Sequence, residues 1–170
     1  MSQIYLNPDE AKKLTQIKQK NINKRIRWFC RKKLNHLNST RFKLFWDKYC
    51  SKVEYSNVLF EIHFKSSFSF YMYLYLKSQA VPYEIEAGGN FTVSKPVDVN
   101  FGRIVKISGM TTNTVKKAFR ELVECGLLLF REDMKPMFHN STKSVMVLND
   151  NYLVGYNQKE KRIIYSIKSQ

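Results

Sequence analysis

The sequence predicts an α+β fold: a core of short helices with a β-hairpin, preceded by a basic helical extension. Three observations predict it. Positive charge is concentrated in the N-terminal third, where apolar residues recur at helical spacing. Residues 100–126 hold two short helical patterns, each with a capping residue before it and a glycine after it. Two short apolar runs follow, separated by a polar loop.

The chain has 170 residues, enough for one domain or one domain with a helical extension. It is 44% hydrophobic and 14% aromatic, which excludes a disordered chain. Its 29 Lys and Arg against 14 Asp and Glu leave a formal net charge of +15. Fourteen of the basic residues and one acid, Asp47, lie in residues 11–53, so the rest of the chain is nearly neutral. Such a field draws in polyanions, nucleic acid first and anionic membrane second. The three cysteines, Cys30, Cys50 and Cys125, are far apart and form no C-x-x-C. That pattern argues against a disulfide framework or a zinc site and points to a reducing cytoplasm. Met1-Ser2-Gln3-Ile4-Tyr5 carries no secretory signal pattern. Phe68 to Leu76, the most apolar stretch, is far shorter than the ~20 residues of a membrane span. A cytoplasmic protein without a membrane partner is expected.

The first helix is predicted to start at Pro8-Asp9-Glu10, with acids at the positive end of the dipole. Ile22, Ile26, Phe29, Cys30, Lys33 and Leu37 recur at steps of three and four and form its inward stripe. Lys24, Arg25, Arg27, Arg31 and Lys32 take the other faces. Asn38-Ser39-Thr40 breaks and recaps, and Phe42, Phe45, Trp46, Tyr49 and Val53 continue as a second amphipathic helix. Val58, Phe60, Ile62 and Phe64 alternate with Leu59, Glu61 and His63, which predicts a short strand or extended entry. Ser66-Ser67 precedes an almost wholly apolar stretch over 67–79, read as a central core helix, with a strand as the alternative for part of it. Residues 80–96 are loop-like, with a hairpin expected where Tyr83–Glu86 and Phe91–Val93 flank Ala87-Gly88-Gly89-Asn90.

Residues 100–148 carry the functional prediction. Asn100 can cap a short helix with Phe101, Ile104 and Val105 inward, and Gly109 can end it in a left-handed turn. Thr111 can cap a second helix whose Val115, Ala118, Phe119 and Leu122 face the core, with Gly126 at its end. Leu127 to Arg131 and Val145 to Leu148 then read as strands around a polar loop, 132–144. Two helices joined by a tight turn and followed by a hairpin make a winged helix-turn-helix. The predicted fold class is therefore α+β, a winged helix-turn-helix core with an N-terminal basic helical extension. The boundaries are 1–54 for the extension, 55–156 for the DNA-binding domain and 157–170 for a charged and apolar tail.

On this reading the partner is double-stranded DNA. Thr111, Thr112, Asn113, Lys116 and Lys117 stand where a recognition helix reaches base edges in the major groove, and Arg120 where it meets phosphate. Lys135 and Lys143 are the basic residues of the hairpin loop, beside His139 and Asn140. Lys24, Arg25, Arg27, Arg31 and Lys32 supply a second nucleic-acid contact; a dimerisation element or a peripheral membrane helix are the other readings of that helix. Trp28, Phe29 and Trp46 among the basic residues suit stacking on single-stranded bases, although aromatics at helical spacing are more often core. A homodimer is expected, its interface not located.

Residues 97–148 resemble the winged-helix proteins of bacterial regulators and mobile-element initiators. The strongest match runs from Ile104 through Ser108-Gly109-Met110, Thr114-Val115-Lys116-Lys117-Ala118 and Glu121-Leu122-Val123-Glu124 to Gly126-Leu127-Leu128. The continuation, Val147-Leu148-Asn149, Tyr152-Leu153, Gly155, a charged stretch from Asn157 to Arg162 and Ile163-Ile164-Tyr165, is similar to RepL-type plasmid replication initiators. Asp150 stands where those have proline, and the glycine comes one residue early. The resemblance implies a replication initiator or regulator of a plasmid, phage or other mobile element. A transcriptional repressor without a replication role and a winged-helix protein-interaction module remain alternatives.

No catalytic motif is present: no G-x-x-x-x-G-K-[ST], G-x-S-x-G or H-E-x-x-H, and no paired carboxylates. Cys30, His36 and Cys50 match no metal-ligand spacing. Neither an enzyme, a cofactor nor a metal is expected.

Overall fold

A computed structural model describes residues 8–81, 93–130 and 142–165. The hairpin expected at 83–93 falls almost wholly outside the described residues, as do Lys135, His139 and Asn140; for Lys143 only the backbone is described. The described residues form a mixed α+β structure with two small antiparallel sheets.

Helix α1 (Pro8–His36) has Asp9 and Glu10 in its first turn and Lys33 and His36 in its last, each sign facing the opposite end of the helix dipole. Its 29 residues span about 43 Å. The second half packs on the body: residues 16–21 are exposed, whereas Ile22, Ile26 and Leu37 are half-buried and Phe29 is buried. Cys30, expected on the inward stripe, is exposed. It follows Phe29 by one residue, a rotation of ~100° that turns it off the buried line.

Ser39 caps α2 (Thr40–Phe45), its hydroxyl accepting from the Phe42 N–H at 3.4 Å. The regular helix expected to run to Val53 instead widens into a π-helical turn at Trp46–Cys50. A π turn changes the phase of the side chains that follow. Here it lays Tyr49 on Tyr75, with ring centroids 4.9 Å apart, and Cys50 beside Tyr71, whose carbonyl accepts from the thiol at 3.5 Å.

The short strand or extended entry expected at 58–64 is a 3-10 turn (Asn57–Glu61) followed by an extended exit. Ser56 caps the turn by accepting from the Val58 N–H at 3.2 Å. The alternation survives only in the exit, where Ile62 and Phe64 are buried while His63 is exposed. Among the described residues no strand pairs with them; the Phe29 ring of α1 lies 5.6 Å from Phe60.

Helix α3 (Ser67–Gln79) occupies the centre, with residues 67–76 all buried. Its polar tips are satisfied, as buried hydroxyls must be. Tyr71 donates to the Phe29 carbonyl at 3.0 Å and Tyr73 to the Leu148 carbonyl at 2.6 Å. Those two bonds tie α3 to α1 on one side and to the sheet on the other. Phe29, Phe42 and Phe45 share one continuous core with α3 and with Val115, Leu122 and Val145 further along the chain.

Strand β1 (Val97–Asn100) leads into α4 (Phe101–Ser108) and α5 (Thr112–Cys125), followed by β2 (Leu128–Leu129) and β3 (Thr142–Val147). The three strands form an antiparallel sheet in the order β1-β3-β2, with Val97 opposite Val145 and Leu128 opposite Val147. The first hairpin strand is shorter than the expected Leu127–Arg131, and the second starts earlier than Val145. β4 (Leu153–Asn157) and β5 (Arg162–Tyr165) form a second antiparallel pair, which includes part of the segment read as a tail.

Asp150 is fully buried between these units. Its carboxylate accepts from the Ser56 N–H and from Lys77 Nζ, each at 2.5 Å. Lys77 Nζ also donates to the Glu54 carbonyl. One ion pair therefore joins the segment before the 3-10 turn, the end of α3 and the start of β4.

Candidate nucleic-acid interface

The turn between α4 and α5 is built by local hydrogen bonds. Asn100 Oδ1 accepts from the Arg103 N–H at 3.0 Å and starts α4. Buried Ser108 donates to the Ile104 carbonyl at 2.6 Å and accepts from the Met110 N–H at 3.2 Å, which draws the chain sharply away from the helix axis. Gly109 closes α4 at φ 73°, a left-handed conformation that a side chain resists. A Cβ there would also lie 3.2 Å from Arg41 Cβ on α2. Thr111 Oγ1 then accepts from the Thr114 N–H at 3.2 Å and starts α5. Gly126 ends α5 at φ 97°.

Helix α5 presents two unlike faces. Val115, Ala118, Phe119, Leu122 and Cys125 are buried, and Phe119 meets Phe101 edge-on with centroids 5.2 Å apart. Thr111, Thr112, Asn113, Lys116, Lys117 and Arg120 are exposed. Glu121, at the edge of that face, folds back on α3. Its carboxylate accepts from the Lys65 N–H at 2.9 Å, the Ser66 N–H at 3.4 Å and Ser69 Oγ at 2.6 Å. The Ser66 hydroxyl makes no cap of its own, so an acid on α5 caps α3.

The basic residues of α1 do not act as one set. Lys24, Arg27, Arg31 and Lys32 are exposed. Arg25 turns inward: its guanidinium lies 4.5 Å from the Trp28 ring centroid and donates to the Phe64 carbonyl at 3.1 Å. Burial pulls its pKa below the ordinary arginine value, opposed by the nearby Glu121 carboxylate. Its Nε has no hydrogen-bond partner. Arg25 therefore pins α1 to the body, while its neighbours face solvent.

Between α1 and α5 lies a groove of about 1050 Å³. α1 lines it with Trp28, Lys32 and His36, and α5 with Lys117, Arg120 and Glu121. The segment before α3 contributes His63 and Lys65, and the β4–β5 hairpin contributes Tyr156 and Lys161. Lys32, Lys117 and Arg120, singled out in the sequence, are thus brought together. Thr112, Asn113 and Lys116 are not among the residues lining this groove, nor are Lys24, Arg27 and Arg31. Lys65, Lys161 and Tyr156 escaped the sequence reading because no local pattern points to them; the fold alone carries them to α5. His36 Nε2 lies 3.3 Å from Ser67 Oγ, and burial, with the charge of Lys32, lowers its pKa below the ordinary histidine value. His63 stacks on Tyr156 at 18° between planes and meets Gln158 at 3.2 Å.

Among the described residues no group of His, Cys, Asp and Glu could hold a metal ion, and no helix is long and apolar enough to cross a membrane. The site's chemistry is that of cations and hydrogen-bond donors on a rigid frame. Comparison with protein-family models, characterised proteins and solved structures finds no match.

Proposed function

We propose that residues 97–147 are a winged helix-turn-helix that binds duplex DNA, with α5 as the recognition helix. The observation that carries this reading is the exposed polar face of α5 on a rigid base. Thr112, Asn113, Lys116, Lys117 and Arg120 are exposed on a helix fixed at both ends by Thr111 and Gly126 and packed on α3 and α4. A helix of this kind fits the major groove, with the residues near its start at base edges. The antiparallel pairing of β2 with β3 directly after α5 has the form of a wing. Thr112, Asn113, Lys116 and Lys117 read bases; Arg120 and the exposed basic residues of α1 hold phosphate, while Lys135 and the Lys143 side chain, expected from the sequence to join them, lie outside the described residues.

The resemblance of residues 97–148 to winged-helix regulators and mobile-element initiators, and of the continuation to Tyr165 to RepL-type initiators, supports replication initiation or regulation of a mobile element as the biological role. The test is selection of the tightest binders from random duplexes, followed by salt titration. A recovered consensus that relaxes in Asn113→Ala or Lys116→Ala, with affinity falling steeply in salt, supports base reading. Uniform affinity for every duplex, unchanged by Lys116→Ala with Lys117→Ala, removes it.

A further inference from the structure

We propose that the groove between α1 and α5 is a binding site for a single-stranded nucleic-acid segment, distinct from the duplex-reading face of α5. Its walls combine the two features that single-strand sites require, cations along a backbone track and aromatic rings for unpaired bases. The cations come from four parts of the fold: Lys32 on α1, Lys65 before α3, Lys117 and Arg120 on α5, and Lys161 in the β4–β5 turn. Lys161 is held there by a left-handed backbone at φ 55°. Glu121 faces the same space, but its carboxylate is occupied by two backbone N–H groups and the Ser69 hydroxyl. Glu124 is the other acid on the wall.

The rings distinguish a strand from a duplex. Trp28 lines the groove while half-buried, with the Arg25 guanidinium over its ring. Tyr156 and His63 line it as a stacked pair. Bases inside a duplex already stack on one another and offer no free face; only unpaired bases can lie on these rings. The volume, about 1050 Å³, is just above the ~300–1,000 Å³ of small-ligand pockets, which suits a short run of nucleotides. The inference extends the duplex reading and shares Lys32, Lys117 and Arg120 with it, but its own determinants are Trp28, Tyr156 and Lys65.

The test uses the full chain and fluorescence anisotropy with labelled oligo(dT) of about twelve nucleotides, within the ~4–16-nucleotide sites of single-strand binders. The same length of abasic strand and poly-glutamate serve as competitors. Oligo(dT) is expected to bind more tightly than either. Trp28→Ala is expected to cost about 5- to 100-fold for oligo(dT) and to leave the abasic strand unaffected. Lys32→Ala and Lys65→Ala should each lower the logarithmic salt slope by about 0.7. Asn113→Ala should leave all of this intact, so loss of the duplex consensus with retained Trp28 dependence separates failure of the duplex reading from failure of this one. Equal binding of the abasic strand, or displacement by poly-glutamate as effective as by oligo(dT), overturns the proposal. If Trp28→Ala does not fold, Trp46→Phe leaves Trp28 as the one remaining tryptophan of the two. Oligo(dT) must then quench its fluorescence at the concentrations at which anisotropy saturates; unchanged emission at saturation overturns the proposal equally.

Discussion

Replacing Glu121 with alanine should weaken the fold and strengthen nucleic-acid binding at once. The carboxylate takes two backbone N–H groups at the start of α3 and the hydroxyl of Ser69, which is fully buried. Loss of a side-chain N-cap costs roughly 0.5–2 kcal/mol. Leaving a buried hydroxyl without its charged acceptor adds about 1 kcal/mol, the low end because the bond is one of several routes for a rotatable donor. Lys65 N–H is at the surface and turns to water at little cost. The sum is about 1.5–3 kcal/mol, or a fall of roughly 1 M in the urea midpoint for a slope near ~2 kcal/mol/M. Binding moves the other way. Removing one negative charge some ~8–10 Å from a phosphate in water is worth at most ~0.5 kcal/mol before screening, about a twofold gain in affinity. Equilibrium urea unfolding and DNA titration on the same preparation measure both. Glu124→Ala, exposed one turn on, is the control: the affinity gain should be similar and the stability change within ~0.5 kcal/mol. If Glu121→Ala is no less stable than Glu124→Ala, the capping role is refuted.

Three other perturbations follow from the same geometry. Asp150→Ala removes charge-assisted bonds from Ser56 N–H and Lys77 Nζ and should cost about 2–4 kcal/mol; Lys77→Met, which strands a fully buried carboxylate, should cost at least as much. The double variant should cost clearly less than the sum in urea unfolding, and strict additivity would show that the pair does not act as one unit. His36 is held below its ordinary pKa by burial and by Lys32, so the unfolded chain takes up its proton first as the solution is acidified. That part of the stability is complete above the unfolded value of about 6.5 and falls as pH drops through it toward the folded value. His36→Gln should flatten the pH dependence of the urea midpoint in that window, and an unchanged slope would remove His36 as its source. Burial pushes the thiols of Cys50 and Cys125 up to about 12, while Cys30 is exposed. An aromatic disulfide reagent at mildly alkaline pH should therefore label one thiol quickly and the other two only in denaturant; fast labelling of all three contradicts the packing.

What the sequence made legible is what neighbouring residues decide among themselves. Asn100, Thr111 and Ser39 act within three residues of their partners, and Gly109 and Gly126 answer to their own backbone angle. The inward face of α5 follows from helical spacing alone. The alternation at 58–64 left a strand and an extended segment open because period two reports an extended backbone, and pairing with another strand is a separate, long-range condition. Asp150 and Glu121 were illegible for a related reason: their partners stand 94 and more than 50 residues away, and no local pattern marks a charge that will be buried. The same holds for the basic helix. Counting Lys24, Arg25, Arg27, Arg31 and Lys32 gives the strength of its field, but each residue turns the side chain by ~100°. Arg25 is thereby spent on Trp28 and the Phe64 carbonyl, Lys32 faces α5, and Arg27 and Arg31 lie outside the groove. Net charge thus points only to polyanions in general, while the direction of each charge emerges only when α1 is docked on α3 through Phe29 and Tyr71.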